Sequence, residues 1–359
     1  MKTRELSKRL GALVGAGLLA TSLSFSASAQ ERDSFSIAWS IYVGWMPWQY
    51  ADDSGIMKKW ADKYDIEVDV VQINDYIESI NQFTAGQFDA VVATSMDSLS
   101  IPAASGVDST ALIVGDYSDG NDGVVSKDAA TLADLKGTTV HLVELSVSHY
   151  LLVRALDSVG LEERDINVVN ISDADLVSAF QTDDVRTVAT WNPLLSEIEA
   201  FPDVTKLFDS SEIPGHIKDL AVVNTEVLEQ NPNFGKALVG AWYEVMSIIQ
   251  SDTEEGREAR ATLGENSGTD LAGYEAQLAA TRMFYEPSSA VEFINSDQAR
   301  DAMDAVRQFS FEKGLLGQGA MSPDFVGIEF PDGSIMGDEG NVKFRFDDSF
   351  MQMAADGEL

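Results

Sequence analysis

The chain reads as an α/β fold of two lobes. Short apolar, β-rich runs alternate with helical stretches over roughly the first two thirds of the sequence, which is the signature of βαβ units and mostly parallel sheets. The number of runs suits two sheets better than one. Two segments also look like crossings between lobes, the Gly-, Asp- and Ser-rich DYSDGNDGVVSK at 116–127 and PGHIKD at 214–219.

In chain order, the first 29 residues have the layout of a secretory signal peptide. Lys2, Arg4, Lys8 and Arg9 form a positive start, Leu10 to Ala20 an apolar run, and Ala27-Ser28-Ala29 a small-residue cleavage site before Gln30. The run is shorter than the ~20 residues a membrane span needs. Strands are expected at Phe35–Trp39, Ile66–Val71, Ala90–Thr94, Ala111–Gly115, Thr138–Val143, Ile166–Ile171, Thr187–Thr190 and Leu220–Asn224. From about 225 to 317 the pattern turns helical. GIEFPDGSIMG then predicts a hairpin around Pro331-Asp332-Gly333. Lobe I is expected to comprise 30–118 and 218–359, and the crossings with lobe II 119–217.

Composition excludes several functions. The chain has 24 basic and 59 acidic residues, a net charge of −35, and no cysteine. The leader's four basic residues and Glu5 net +3, so the exported part carries about −38. Such a charge disfavours nucleic acid and anionic membranes, reads first as solubility, and more weakly as a field that favours cations. Without disulfides or a lipidated cysteine, a free periplasmic protein stabilised by its core is expected. There is no Walker sequence and no G-x-S-x-G elbow. His141, His149 and His216 lack metal-ligand spacing, so neither metal nor cofactor is expected.

Ligands of open α/β sheets sit beyond the carboxyl ends of strands. That places Trp39–Trp48, Asn74–Tyr76, Thr94–Asp97, Glu144–Tyr150 and Trp191–Asn192 around any cleft. Asp75, Asp97 and Glu144 fall there beside Trp45, Tyr76 and Trp191, and basic residues are sparse. Carboxylates with aromatic faces suit a small planar cation or a neutral, donor-rich molecule, whereas an anion would want Arg, Lys or helix N-termini. Each acid has a plainer reading. Asp75 is a candidate N-cap for a helix from Tyr76, with Glu78 completing a capping box, and Asp97 for a helix from Ser98. Glu144 is a poor cap candidate. Ser148 is expected to cap the helix from His149, and Asn192-Pro193 to start another and leave Trp191 free. Trp48 and Tyr50 are expected to pack on the following helix. Helix N-termini aimed at the cleft disfavour a cation, unless Glu144 or Asp97 stands between.

GTTVHLVELSVSHYLLVRALDSVGLEERDINVVNI with ATWNPLLSEI resembles the second lobe of nitrate/sulfonate/taurine-type periplasmic binding proteins of ABC importers. FTAGQFDAVVATSMDSL and VVNTEVLEQNP resemble that family's first lobe. IYVGWMPW, TWNP and the tail from FEKGLLGQGA onward resemble more narrowly a branch of urea-transporter binding proteins associated with urea carboxylase, related loci of which are read as guanidine-degrading. The resemblance implies a type II periplasmic binding fold hinged around a central cleft, an ABC permease partner, a monomer, and no catalysis. By position it implies a pocket of Tyr42, Trp45, Asp75, Tyr76, Ser95, Asp97, Glu144, Ser146, His149 and Trp191. The acids in that layer favour guanidinium first and urea second. Other readings are a different small amine, a sulfonate such as taurine, an enzyme like thiamine-pyrimidine synthases, or a sensory receptor.

Overall fold

The computed structural model describes residues 32–359, so the expected signal peptide lies outside the described residues. The strands are β1 (Ser34–Trp39), β2 (Glu67–Gln72), β3 (Ala90–Thr94), β4 (Ser109–Ser118), β5 (Asp122–Ser126), β6 (Thr139–Leu142) and β7 (Asn167–Asn170). They continue with β8 (Thr187–Trp191), β9 (Thr205–Asp209), β10 (Lys218–Asn224), β11 (Thr281–Met283), β12 (Gly327–Glu329), β13 (Ile335–Met336) and β14 (Val342–Phe346).

Two α/β lobes form around two sheets. The first has the order β13-β12-β14-β4-β10-β3-β1-β2, with β11 added to β4, and the second the order β7-β6-β8-β5-β9. The chain leaves the first sheet at Ser118 and re-enters it at Lys218. The sheets are less parallel than the sequence suggests. β10 runs antiparallel to both β3 and β4, and β5 antiparallel to both β8 and β9. These strands border the crossings, where the chain enters each sheet from the opposite end. The segment expected as a linker at 116–127 is largely strand, because the turn between β4 and β5 needs only Asp119–Asn121.

β3 is AVVAT and buried throughout, the continuous apolar run of a strand covered on both faces. The helix Pro232–Ile249 covers this lobe with a broad apolar face, and Phe234 stacks on Phe35 at 4.7 Å. In the second lobe, Leu151, Leu152 and Leu156 belong to one core cluster, and Leu176, Phe180, Leu195 and Ile198 to another. Capping follows local chemistry: Asp75 accepts from the backbone N–H of Glu78, Thr253 from Gly256 and Ser296 from Ala299. The tail forms the expected hairpin, β12 against β13.

Candidate functional site

The stretch IYVGWMPW follows β1 and turns at Tyr42, whose carbonyl accepts from the N–H groups of Trp45 and Met46. The turn brings two rings together, Tyr42 and Trp45, with centres 5.1 Å apart. Gly44 is required there by space, since a Cβ would lie 2.5 Å from a carboxylate oxygen of Asp116 and 2.7 Å from the Tyr42 ring. Trp45 then meets Tyr76 at 5.3 Å, and Tyr76 meets Trp191 of the second lobe edge-on at 5.7 Å. Four rings therefore line one cavity, with Thr94, Asp122, Val147, Ile217 and Asp219 completing its wall. The space within it, partly open to solvent, is about 250 Å³, and the rings leave room at its centre for about one water.

The wall is acidic and carries no Lys or Arg among the described residues. Asp97 is fully buried; its Oδ2 accepts from the Tyr76 hydroxyl at 2.7 Å and from Thr94 Oγ1 at 2.9 Å. The backbone N–H of Val147, the first residue of the second-lobe helix Val147–Ser158, also points at this carboxyl. Burial pushes Asp97 up to about 6 against these stabilising hydrogen bonds. Burial likewise pushes Asp122 up to about 7, opposed by a hydrogen bond from Ser118. Asp116 is pushed by burial to about 7, and Asp219 well above the ordinary carboxylate range, with Asp116 adding to the effect. The carboxyls of Asp116 and Asp219 lie within hydrogen-bonding reach of each other and of the Tyr42 hydroxyl, and Oδ1 of Asp97 and the Trp45 indole N–H are also buried. Buried polar atoms are normally paired, and the Asp116–Asp219–Tyr42 group can pair within itself.

The sequence-predicted residues divide. Tyr42, Trp45, Tyr76 and Trp191 line the cavity, and Asp97 sits behind Tyr76. Glu144 does not join them: it is exposed, with its backbone N–H bound to Asn170 Oδ1. Asp75 caps its helix and receives the Ser172 hydroxyl from the second lobe at 3.2 Å. Ser146, not Ser148, is the N-cap of Val147–Ser158, because the helix begins one turn position earlier than its apolar pattern suggests. Ser95 is buried in the first turn of the short helix Ser95–Ser98, which Thr94 rather than Asp97 caps. Asn192 reaches its helix from outside: its Oδ1 accepts from the backbone N–H of Ser196, and Leu194 is the first helical residue.

His149 Nδ1 accepts from the Leu145 N–H, and its Nε2 lies 3.2 Å from Glu163, which is also paired with Lys313 of the first lobe. Burial holds this histidine down at about 4, and its ring meets Phe309 of the first lobe edge-on at 6.0 Å. Trp48 packs on Trp242 of the helix Pro232–Ile249, far along the chain, with ring centres 5.1 Å apart.

Sequence reasoning missed Asp116, Asp122 and Asp219. All three lie on the strands that border the crossings, where a run of Asp, Gly and Ser reads as solvated turn. The usable signal was an acid inside an apolar β run, as in IVGDYS and IKDLAVVN.

Comparison with known proteins matches the description NMT1-like family over residues 38–264. A protein of Escherichia coli K12 named for binding aliphatic sulfonates is 27% identical over 169 residues, 47% of this chain and 50% of that one. The taurine-binding periplasmic protein of the same organism is 27% identical over 117 residues, 32% of this chain and 36% of that one. The chain thus aligns with half or less of the length of these curated relatives. The alkanesulfonate-binding protein of Xanthomonas axonopodis pv. citri, solved with MOPS, superposes with a TM-score of 0.67 at 20% identity, over 81% of this chain and 96% of that one. The periplasmic nitrate-binding protein of Synechocystis PCC 6803 gives 0.56 at 12% identity, over 92% and 99%. At such identities the structures establish the fold, two α/β lobes of the periplasmic binding type. The family match runs from the first strand through most of the helix Glu254–Asn266, well over half of the chain, and the protein belongs to the NMT1-like family.

Proposed function

We propose that the protein is a periplasmic solute-binding component of an ABC importer, that it acts as a monomer without turnover, and that its ligand is a small planar nitrogen cation. Guanidinium is first and urea second. One observation carries the reading: a cavity lined by four aromatic rings has the buried carboxyls of Asp122 and Asp219 in its wall and no Lys or Arg. A flat, weakly hydrated cation that donates on every edge satisfies both features, by stacking on the rings and by hydrogen bonding to the acids. Nitrate or a simple alkanesulfonate would meet like charge and few free donors there. Of the residues inferred from the sequence, Tyr42, Trp45, Tyr76, Asp97 and Trp191 serve this site, joined by Asp116, Asp122 and Asp219.

A second reading is a sulfonate or taurine, favoured by what the relatives are named for binding. Taurine is zwitterionic, so its ammonium suits the acids while its sulfonate does not.

Thermal unfolding with guanidinium, urea, taurine, methanesulfonate and nitrate, each well below denaturing concentration, separates these readings. A ligand at a hundred times its Kd stabilises by about 2.7 kcal/mol. The proposal expects the largest upward shift with guanidinium. A shift with taurine or methanesulfonate alone would refute it.

A further inference from the structure

We propose that the Asp116–Asp219 pair selects the charge of the ligand by carrying a proton, which an amidinium-type cation displaces and a neutral planar amide leaves in place. The inference rests on the cationic reading above and supplies the means by which the site distinguishes its first two candidates.

The geometry is a cross-strand pair. β10 lies antiparallel to β4, and Asp219 stands directly opposite Asp116 in the register. Directly opposed residues hold their Cβ atoms about 4.5–5.5 Å apart, which is contact distance for two carboxyls on one face. Asp116 is wholly buried and Asp219 3% exposed. Every group that titrates around the pair is also an acid. Tyr42 approaches from the turn after β1, Asp122 from β5, Tyr274 from the helix Leu271–Ala279, and Tyr285 from the segment after β11, with Asp97 beyond Asp122. Lys218 adjoins Asp219 in sequence, but neighbouring strand residues point to opposite faces, its Nζ donates to the Gly215 carbonyl, and burial pushes it down to about 7. Two carboxyls so placed, without a base, cannot both ionise, and they share a proton. The raised positions of both acids agree with this.

Asp219 also lines the ring cavity. A guanidinium entering there brings one positive charge. The shared proton passes to solvent, and the net charge of the site is unchanged. Urea brings no charge and presents a carbonyl that needs a donor. The protonated carboxyl supplies that donor, while the ionised one accepts an N–H. The same pair thus serves two ligand classes in two protonation states.

The test is calorimetric titration of the full protein with guanidinium chloride and with urea, from about pH 5.5 to about pH 8.5, in buffers of differing ionisation enthalpy. Guanidinium is expected to release close to one proton at the acid end, with affinity rising by up to about tenfold per pH unit until the pair is ionised. Urea is expected to release none, with affinity flat or falling as pH rises. Asp219→Asn should weaken guanidinium by about tenfold or more and lower its pH slope, with Asp122 on the same wall leaving a smaller one. Asp116→Asn should lower the slope as well, which guards against a fault peculiar to one variant. Guanidinium binding that releases no proton and ignores pH overturns the inference and leaves the cationic reading standing, as does a slope undiminished in both variants. Failure of guanidinium to bind at any pH overturns both.

Discussion

Trp191 of the second lobe meets Tyr76 of the first edge-on, with ring centres 5.7 Å apart. The contact closes the cleft, for Trp191 is only 5% exposed and belongs to the first lobe's core cluster although its strand, β8, lies in the second sheet. Val143 and Tyr150 cross in the same way. The Asp75–Ser172 and Glu163–Lys313 contacts flank this apolar seam with polar ties.

Replacing Trp191 should act on both binding and folding, since truncating a buried Trp to Ala costs about 3–5 kcal/mol. Trp191→Ala removes one wall of the ring cavity and is expected to weaken guanidinium by tenfold or more, and Trp191→Phe by less. Aromatic contacts of this kind contribute about 0.5–1.5 kcal/mol beyond burial, and a cation on a ring about as much again. Equilibrium titration of both variants checks the order. Equal losses in both would point to a defect other than the lost ring face.

Gly44 predicts a steric effect on the acid pair. In Gly44→Ala the new methyl collides with Asp116 and Tyr42, both held by the fold. A loss of stability of about 1–3 kcal/mol is expected from overpacking, together with at least tenfold weaker cation binding. Denaturant unfolding and calorimetry measure the two separately. An alanine variant with unchanged binding would show that Asp116 is not held in place by this contact.

Glu144 serves as the contrast. The sequence places it at a strand end, yet its side chain is exposed and outside the cavity wall. Glu144→Gln should change guanidinium affinity by less than about twofold, as expected for an exposed charge screened by solvent. A tenfold loss would return this residue to the site.

Much of the fold was legible because burial on both faces leaves a plain trace. Ala90–Thr94 reads as a strand from composition alone, and Asp75 as a cap from its place before an apolar helix. β14 and β9 were not, since VKFRF and TKLFD are short and half-charged and owe their pairing to distant neighbours. The aromatic half of the site was legible for a similar reason: Tyr42, Trp45, Tyr76 and Trp191 follow strand ends, and large rings there have few other roles. The acidic half was not. Asp116 and Asp219 become partners only when residues about a hundred positions apart pair as β4 and β10, and nothing local to either announces that register.

The acids also set a pH dependence of stability. An Asp whose folded pKa lies above its unfolded value near 3.9 keeps its proton longer in the native state, so folding loses stability as pH rises from the unfolded value to the folded one. Burial raises Asp219 in this sense, with Asp116 reinforcing it. Asp219→Asn escapes that loss. Its stability relative to wild type should grow from about pH 4 upward, at up to ~1.4 kcal/mol per pH unit, and level off once the wild-type group has ionised. Thermal unfolding at several pH values, without ligand, measures the difference. A gap that narrows as pH rises would mean that Asp219 is stabilised in its charged form.

The central claim is that the ring cavity and its carboxyls take a cation. Calorimetric titration of the wild-type protein near pH 8 with guanidinium chloride and, separately, with taurine tests it most directly. The account predicts saturable one-to-one binding of guanidinium and taurine at least about a hundredfold weaker, a difference of some 2.7 kcal/mol. Tight binding of taurine with no heat from guanidinium would contradict it.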